Sequence, residues 1–120
     1  MKHYIYELLM IDPRAKGAGE KLFTGYERTV ERFGGIDLRD YNRNVVYMGI
    51  LDADTDTEAC EKLYVRFNGH IRPNGYHGRS MSVSDILRLR DDEDGTVRTY
   101  FCDSIGWRRI EEVPEGGETE

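Results

Sequence analysis

The chain has 120 residues, of which 38% are hydrophobic and 33% charged, with a formal net charge of -6. That length supports one core burying roughly two-thirds of the surface an unfolded chain exposes, and the composition excludes wholesale disorder. No apolar run reaches the roughly 18 residues of a membrane-spanning helix, and the acidic balance argues against a protein that coats duplex DNA.

The start, "MKHYIYELLM", carries no small-residue cleavage site, so a cytosolic location is expected. "YIYELLMI" (4–11) is apolar on both faces, as a central strand would be, and Asp12-Pro13 end it. "RAKGAGE" reads as a loop. Phe23, Tyr26, Val30 and Phe33 then recur at helical spacing, with Gly34-Gly35 as the stop. "NVVYMGIL" (44–51) predicts a second strand, again apolar on both sides. In the second helix Thr55 and Glu58 have capping-box spacing, Ala59, Leu63 and Phe67 form the stripe with Cys60 and Tyr64 beside it, and Asn68-Gly69 close it. "NGHIRPNGYHGRS" is a long loop, followed by a β-meander: "DILRL", a turn at Asp94-Gly95, "TVRTYFCDS", a turn at Gly106, and "WRRI". The expected fold is therefore α+β, with the order β-α-β-α-β-β-β. Two helices would pack on one face of a mixed or antiparallel sheet whose C-terminal meander could curl towards a partial barrel. Residues 1–112 form a single domain in this reading, and 113–120 a disordered acidic tail.

Charge is unevenly placed. Up to Ile50 there are eight basic and seven acidic residues, and beyond it nine and sixteen. Yet no carboxylate falls between Lys62 and Ser84, where Arg66, His70, Arg72, Tyr76, His77 and Arg79 stand; these are the candidate binding residues. Hydrolytic chemistry has its parts in "HGRSMSVSDILRL": Ser80, Ser82 or Ser84 as nucleophile, His70 or His77 as base, and Asp85 or Asp103 to orient it. No G-x-S-x-G elbow fixes their geometry, so no catalytic residue is assigned. The competing reading is structural: short side-chain oxygens and a carboxylate tie a tight turn into the following strand, Met81 and Val83 point inward, and Asp85 anchors Arg79. Asp52, Asp54, Asp56 and Glu58 alternate like half a calcium loop, but no Gly follows and no distal Glu completes it, and the run suits a helix N-terminus. The two cysteines, Cys60 and Cys102, are distant in sequence and read as buried thiols. No metal or cofactor is assigned.

The segment from Gly78 to Asp85 (G-R-S-M-S-V-S-D), followed by Tyr100, Phe101, Asp103, Ser104, Gly106 and Trp107, resembles the YodL-like domain, with the likeness running from Phe23 to Ile110. The resemblance implies a small accessory protein of plasmids, conjugative elements or phages of Gram-positive bacteria, and it supplies no catalytic residue. The expectation is a non-enzymatic factor that binds protein, in its sharpest form an anti-CRISPR or other anti-defence inhibitor of a host nuclease. In that reading Ser80, Ser82, Ser84, Asp85, Asp103, Ser104, Gly106 and Trp107 serve the fold. The alternative is a module that binds RNA or single-stranded DNA through residues 62–84. The oligomeric state stays open.

Overall fold

Several strands carry apolar side chains at consecutive positions, Leu8-Leu9, Ile86-Leu87 and Tyr100-Phe101, so both faces of the sheet demand cover. The computed structural model describes residues 1–42, 44–76 and 78–111; His77, Glu112 and the expected tail 113–120 lie outside the described residues. The order is β1 (Lys2–Leu9), α1 (Ala18–Lys21), α2 (Tyr26–Phe33), a 3-10 turn (Leu38–Asp40), β2 (Val45–Ala53), α3 (Asp56–Asn68), β3 (Ile86–Asp91), β4 (Val97–Cys102) and β5 (Trp107–Ile110). The five strands line up as β2-β1-β3-β4-β5, and every neighbouring pair is antiparallel. The α+β class and the element order are as the sequence predicts. One short helix, α1, replaces part of the loop after β1.

One face packs Tyr4, Tyr6, Leu8, Leu87 and Leu89 against Ala59, Cys60, Leu63 and Phe67 of α3. Intervening residues Leu9, Ile86 and Phe101 point the other way, into a second cluster closed by Ala18, Leu22, Tyr26, Leu38 and Tyr41. The expectation that the helices share one face is therefore corrected: α3 covers one side, and α1, α2 and the segment after them cover part of the other. Period two forces this, because neighbouring apolar residues on one strand cannot reach the same layer.

α3 is capped as its sequence predicts: the Thr55 hydroxyl accepts the Glu58 N–H at 3.1 Å, and the Glu58 carboxylate accepts the Asp54 N–H at 2.7 Å. α2 departs from its predicted stripe. Phe23 lies outside the helix, Val30 is exposed, and Thr29 is the fully buried residue, its hydroxyl donating to the Gly25 carbonyl at 2.8 Å. A two-turn helix with one contact side is placed by its ends rather than by periodicity: Gly34, at φ 87, closes it. β2 is an edge strand, and two of its carbonyls, those of Asp52 and Ile50, accept from Lys62 and Arg66 of α3 at 3.0 and 3.4 Å. No helix among the described residues is long and apolar enough to cross a membrane.

Candidate functional site

The Gly78–Asp85 segment and the turn after β4 meet beside α2. Asp85 is fully buried, and its carboxylate accepts from the two terminal guanidinium nitrogens of Arg79 at 2.9 and 2.7 Å and from the Ser82 N–H at 2.8 Å. Burial pushes the Asp85 carboxyl up against the pull of Arg79 and the Ser82 N–H; Arg79, paired with it, is itself raised above the ordinary arginine value. The main chain of Asp85 and Ser84 is pinned to β4 as well: Cys102 N–H donates to the Asp85 carbonyl at 2.8 Å, and Ser84 N–H to the Cys102 carbonyl at 2.9 Å. Gly78 is required by close approach, since a Cβ there would fall 2.5 Å from the Tyr76 hydroxyl oxygen.

Two non-glycine residues among those described have left-handed backbones, Phe23 at φ 64 and Ser84 at φ 83. They touch: the Phe23 N–H donates to the Ser84 hydroxyl oxygen at 3.0 Å. Tyr41 donates its hydroxyl to the Ser84 carbonyl at 2.7 Å, which holds the strained residue from the other side. The Phe23 ring faces outward, 54% exposed, with the Arg79 guanidinium 4.9 Å from its centroid. Asp103 completes the arrangement by accepting the N–H of Tyr26 at 3.1 Å, which caps α2 from the far end of the chain, and the N–H of Ser104 at 2.8 Å. Gly106, at φ 73, turns the chain into β5, where Trp107 packs edge-on to Tyr64 with centroids 6.4 Å apart. Ser84, Asp85 and Asp103 thus each accept main-chain N–H groups. Replacing Asp103 with alanine should cost about 1–2 kcal/mol, the usual loss of a helix cap, and a urea melt with amide exchange over α2 would measure it.

The cationic segment is tied inward. Arg72 donates to the carbonyls of Gly69 and Gly78 and to the Ser80 hydroxyl at 3.3, 3.2 and 2.9 Å, stapling its own loop. Arg66 reaches the Ile50 carbonyl, and Arg79 is taken by Asp85. Tyr76 is a core residue: its ring meets Phe67 edge-on at 4.9 Å, and its hydroxyl donates to the Arg79 carbonyl at 2.6 Å. His70 is exposed. The segment does bring Arg72, Tyr76, Arg79 and Ser80 together, around its own main chain.

Sequence reasoning missed a polar centre under the N-terminus of α3. Asp56 accepts hydroxyls from Tyr4 at 2.8 Å and Tyr100 at 2.6 Å, and the Arg98 guanidinium at 2.6 and 3.0 Å. Burial alone would push the Asp56 carboxyl up, but the donors from Arg98, Tyr100 and Tyr4 outweigh it and hold the carboxyl well below the usual range. Burial and the Asp56 contact push the Tyr100 hydroxyl up to about 12 and raise Tyr4 further still. The one available signal was the alternation of Arg98 with Tyr100 on an inward-facing side of β4. Asp52 and Asp54, its neighbours in the acidic run, pair instead with His3 and the N-terminal amine. Among the described residues no group of three or more His, Cys, Asp or Glu side chains could hold a metal ion.

No curated protein and no solved structure matches the chain. The YodL-like domain family does, over residues 11–112. That span takes in α1, α2, α3 and β2 to β5 together with both motif segments, 78–85 and 100–107, so the chain belongs to the YodL-like domain family.

Proposed function

We propose that this protein is a non-enzymatic accessory factor of a mobile genetic element or phage that works by binding protein, with Phe23 as its anchor. The observation that carries the reading is the outward Phe23 ring on a left-handed backbone, held by Ser84 and Arg79 of the family motif. Displaying an aromatic ring is unfavourable and a left-handed backbone costs about 1–2 kcal/mol for an ordinary residue, so glycine would satisfy the fold at this position. A rigid exposed aromatic beside a guanidinium is the residue chemistry that dominates binding energy at protein interfaces. In the mobile-element setting that the resemblance implies, the partner class that fits is a host defence nuclease, which would make the protein an anti-defence inhibitor of anti-CRISPR type. The exposed carboxylates of Asp92, Glu93 and Asp94 on the β3–β4 turn suit a nuclease surface built for phosphates. The nucleic-acid alternative has weaker support, because Arg66, Arg72 and Arg79 all donate to acceptors within the chain.

Phe23→Gly separates display from folding. Relief of the left-handed strain offsets the lost cation–π contact and the added freedom of glycine, each about 1 kcal/mol, so the melting temperature should stay within a few degrees of the parent. Tagged parent protein should retain a host protein from nuclease-treated lysate that the Phe23→Gly variant does not. Equal retention by both proteins would overturn the reading, and retention that vanishes on nuclease treatment would favour the nucleic-acid alternative.

A further inference from the structure

The sheet face that carries α1 and α2 is covered at one end only. Strand register places Ile50, Ile5, Arg90 and Val97 side by side across four strands, and Met48, Glu7, Arg88 and Thr99 in the next row. The apolar members are open to solvent: Ile50 is 77% exposed, Met48 59%, Val97 50% and Ile5 36%. Arg88 is held by Glu7 at 2.9 Å and Asn42 at 3.1 Å. Arg90, in the middle of the outer row, is exposed and has no ion-pair partner among the described residues. A depression of about 490 Å³ lined in part by Arg88, Val97 and Ile110 adjoins it. A patch of exposed β-branched and methionine side chains on a sheet face is unusual for a surface that stays in water.

The covered end of the same face offers complementary chemistry. At about 100° per residue, Glu27 and Glu31 fall on the outer crest of α2, opposite buried Thr29, with exposed Val30 on one flank and Arg28 on the other. Neither glutamate has an ion-pair partner among the described residues, since Arg32 is taken by Glu20. The face therefore has a raised half that ends in free carboxylates and a bare half that holds a free guanidinium among apolar groups.

We propose that a second copy of this chain covers the bare half, through a two-fold axis running across the strands at the boundary between the halves. Such an axis reverses position along the strands and preserves position across them. Each copy's raised layer then lies on the other's bare half, and the contact is made twice. α2 sits on the β4 side, with Tyr26 against Phe101 and the Arg108 guanidinium 4.1 Å from the Tyr26 ring centroid, so the partner's α2 lands over Val97 and Arg90. There Glu27 and Glu31 meet Arg90, and Val30 meets the apolar row. The opposite arrangement, with the axis along the strands, would set raised half against raised half and leave the apolar row bare.

The test uses the protein alone. Sedimentation equilibrium of the full chain at micromolar concentration should give a dimer whose dissociation constant rises tenfold or more for Arg90→Glu, and likewise for the Glu27→Arg/Glu31→Arg pair. An equimolar mixture of the two variants should associate as the parent does, because both contacts of the mixed dimer then join opposite charges. All these positions are exposed, so circular dichroism should be unchanged, and so should melting at concentrations where the parent is monomeric. A parent chain that is monomeric at about 100 μM, where even a weak pair would form, overturns the proposal. So does a dimer indifferent to Arg90→Glu, or a mixture that stays monomeric. None of these outcomes bears on Phe23.

Discussion

Arg79→Ala should destabilise the fold by about 3–5 kcal/mol, a large share of a small domain's total stability. Its partner Asp85 is wholly enclosed and would keep only the Ser82 N–H against an ionised carboxylate. The loss extends along the motif, since Asp85 positions Ser84, and Ser84 positions Phe23. Its pH dependence identifies the cause. In the variant the Asp85 carboxyl is buried without its cation, so its folded pKa, already raised by burial in the parent, climbs further above the unfolded value of roughly 3.9. The penalty is then absent below about pH 4, where the group is protonated in both states, and grows as pH rises through the folded pKa. Urea titrations of parent and variant from acidic to neutral pH would show the gap opening upwards; a gap constant with pH would mean that lost packing, rather than a stranded charge, explains the effect.

Asp56→Ala should cost a similar amount, roughly 3–5 kcal/mol, because one substitution removes the acceptor of both the Tyr4 and Tyr100 hydroxyls and leaves the Arg98 guanidinium with only Thr96 and a long contact to Asp91. Tyr4 is 1% exposed, so its hydroxyl has no direct access to solvent in place of that acceptor. Here the pH dependence has the opposite sign. The Asp56 carboxyl is depressed in the folded chain, so its contribution is fully present above the unfolded value of roughly 3.9 and is lost as pH falls below it. The parent should therefore weaken steeply in acid, and Asp56→Asn should flatten that limb while lowering stability at neutral pH. An acid limb of unchanged slope in Asp56→Asn would assign acid sensitivity elsewhere.

α3 was legible because its signals are local: a capping box, a stripe and a closing Asn-Gly, all within fifteen residues or so of one another. The strands were legible in kind, with ends displaced by a residue or two, because alternation fixes the interior of a strand better than its limits. The Arg79–Asp85 pair was within reach, six residues apart on one loop. Asp56 was not: its three partners come from β1 and β4, brought under α3 only by the sheet order, and in sequence it sits in a run of acids that reads as a solvated helix start. The start of α2 was hidden for the same reason, its N-terminus being capped by Asp103 from beyond β4, while its Gly34 stop was legible. Phe23, read as the first rung of a helical stripe, is instead a left-handed residue whose backbone depends on Ser84. β2 was legible as a strand apolar on both sides, but not in its place: it lies at the sheet's edge with Met48 and Ile50 in solvent.

That edge position has a consequence for how the molecule behaves in a crowd. A nine-residue border strand with apolar side chains is a natural template on which further chains could stack into fibrils. The side chains of Lys62 and Arg66, folded over the Asp52 and Ile50 carbonyls, occupy acceptors that an incoming strand would need and set two cations in its path. Polymerisation along that border is thereby obstructed.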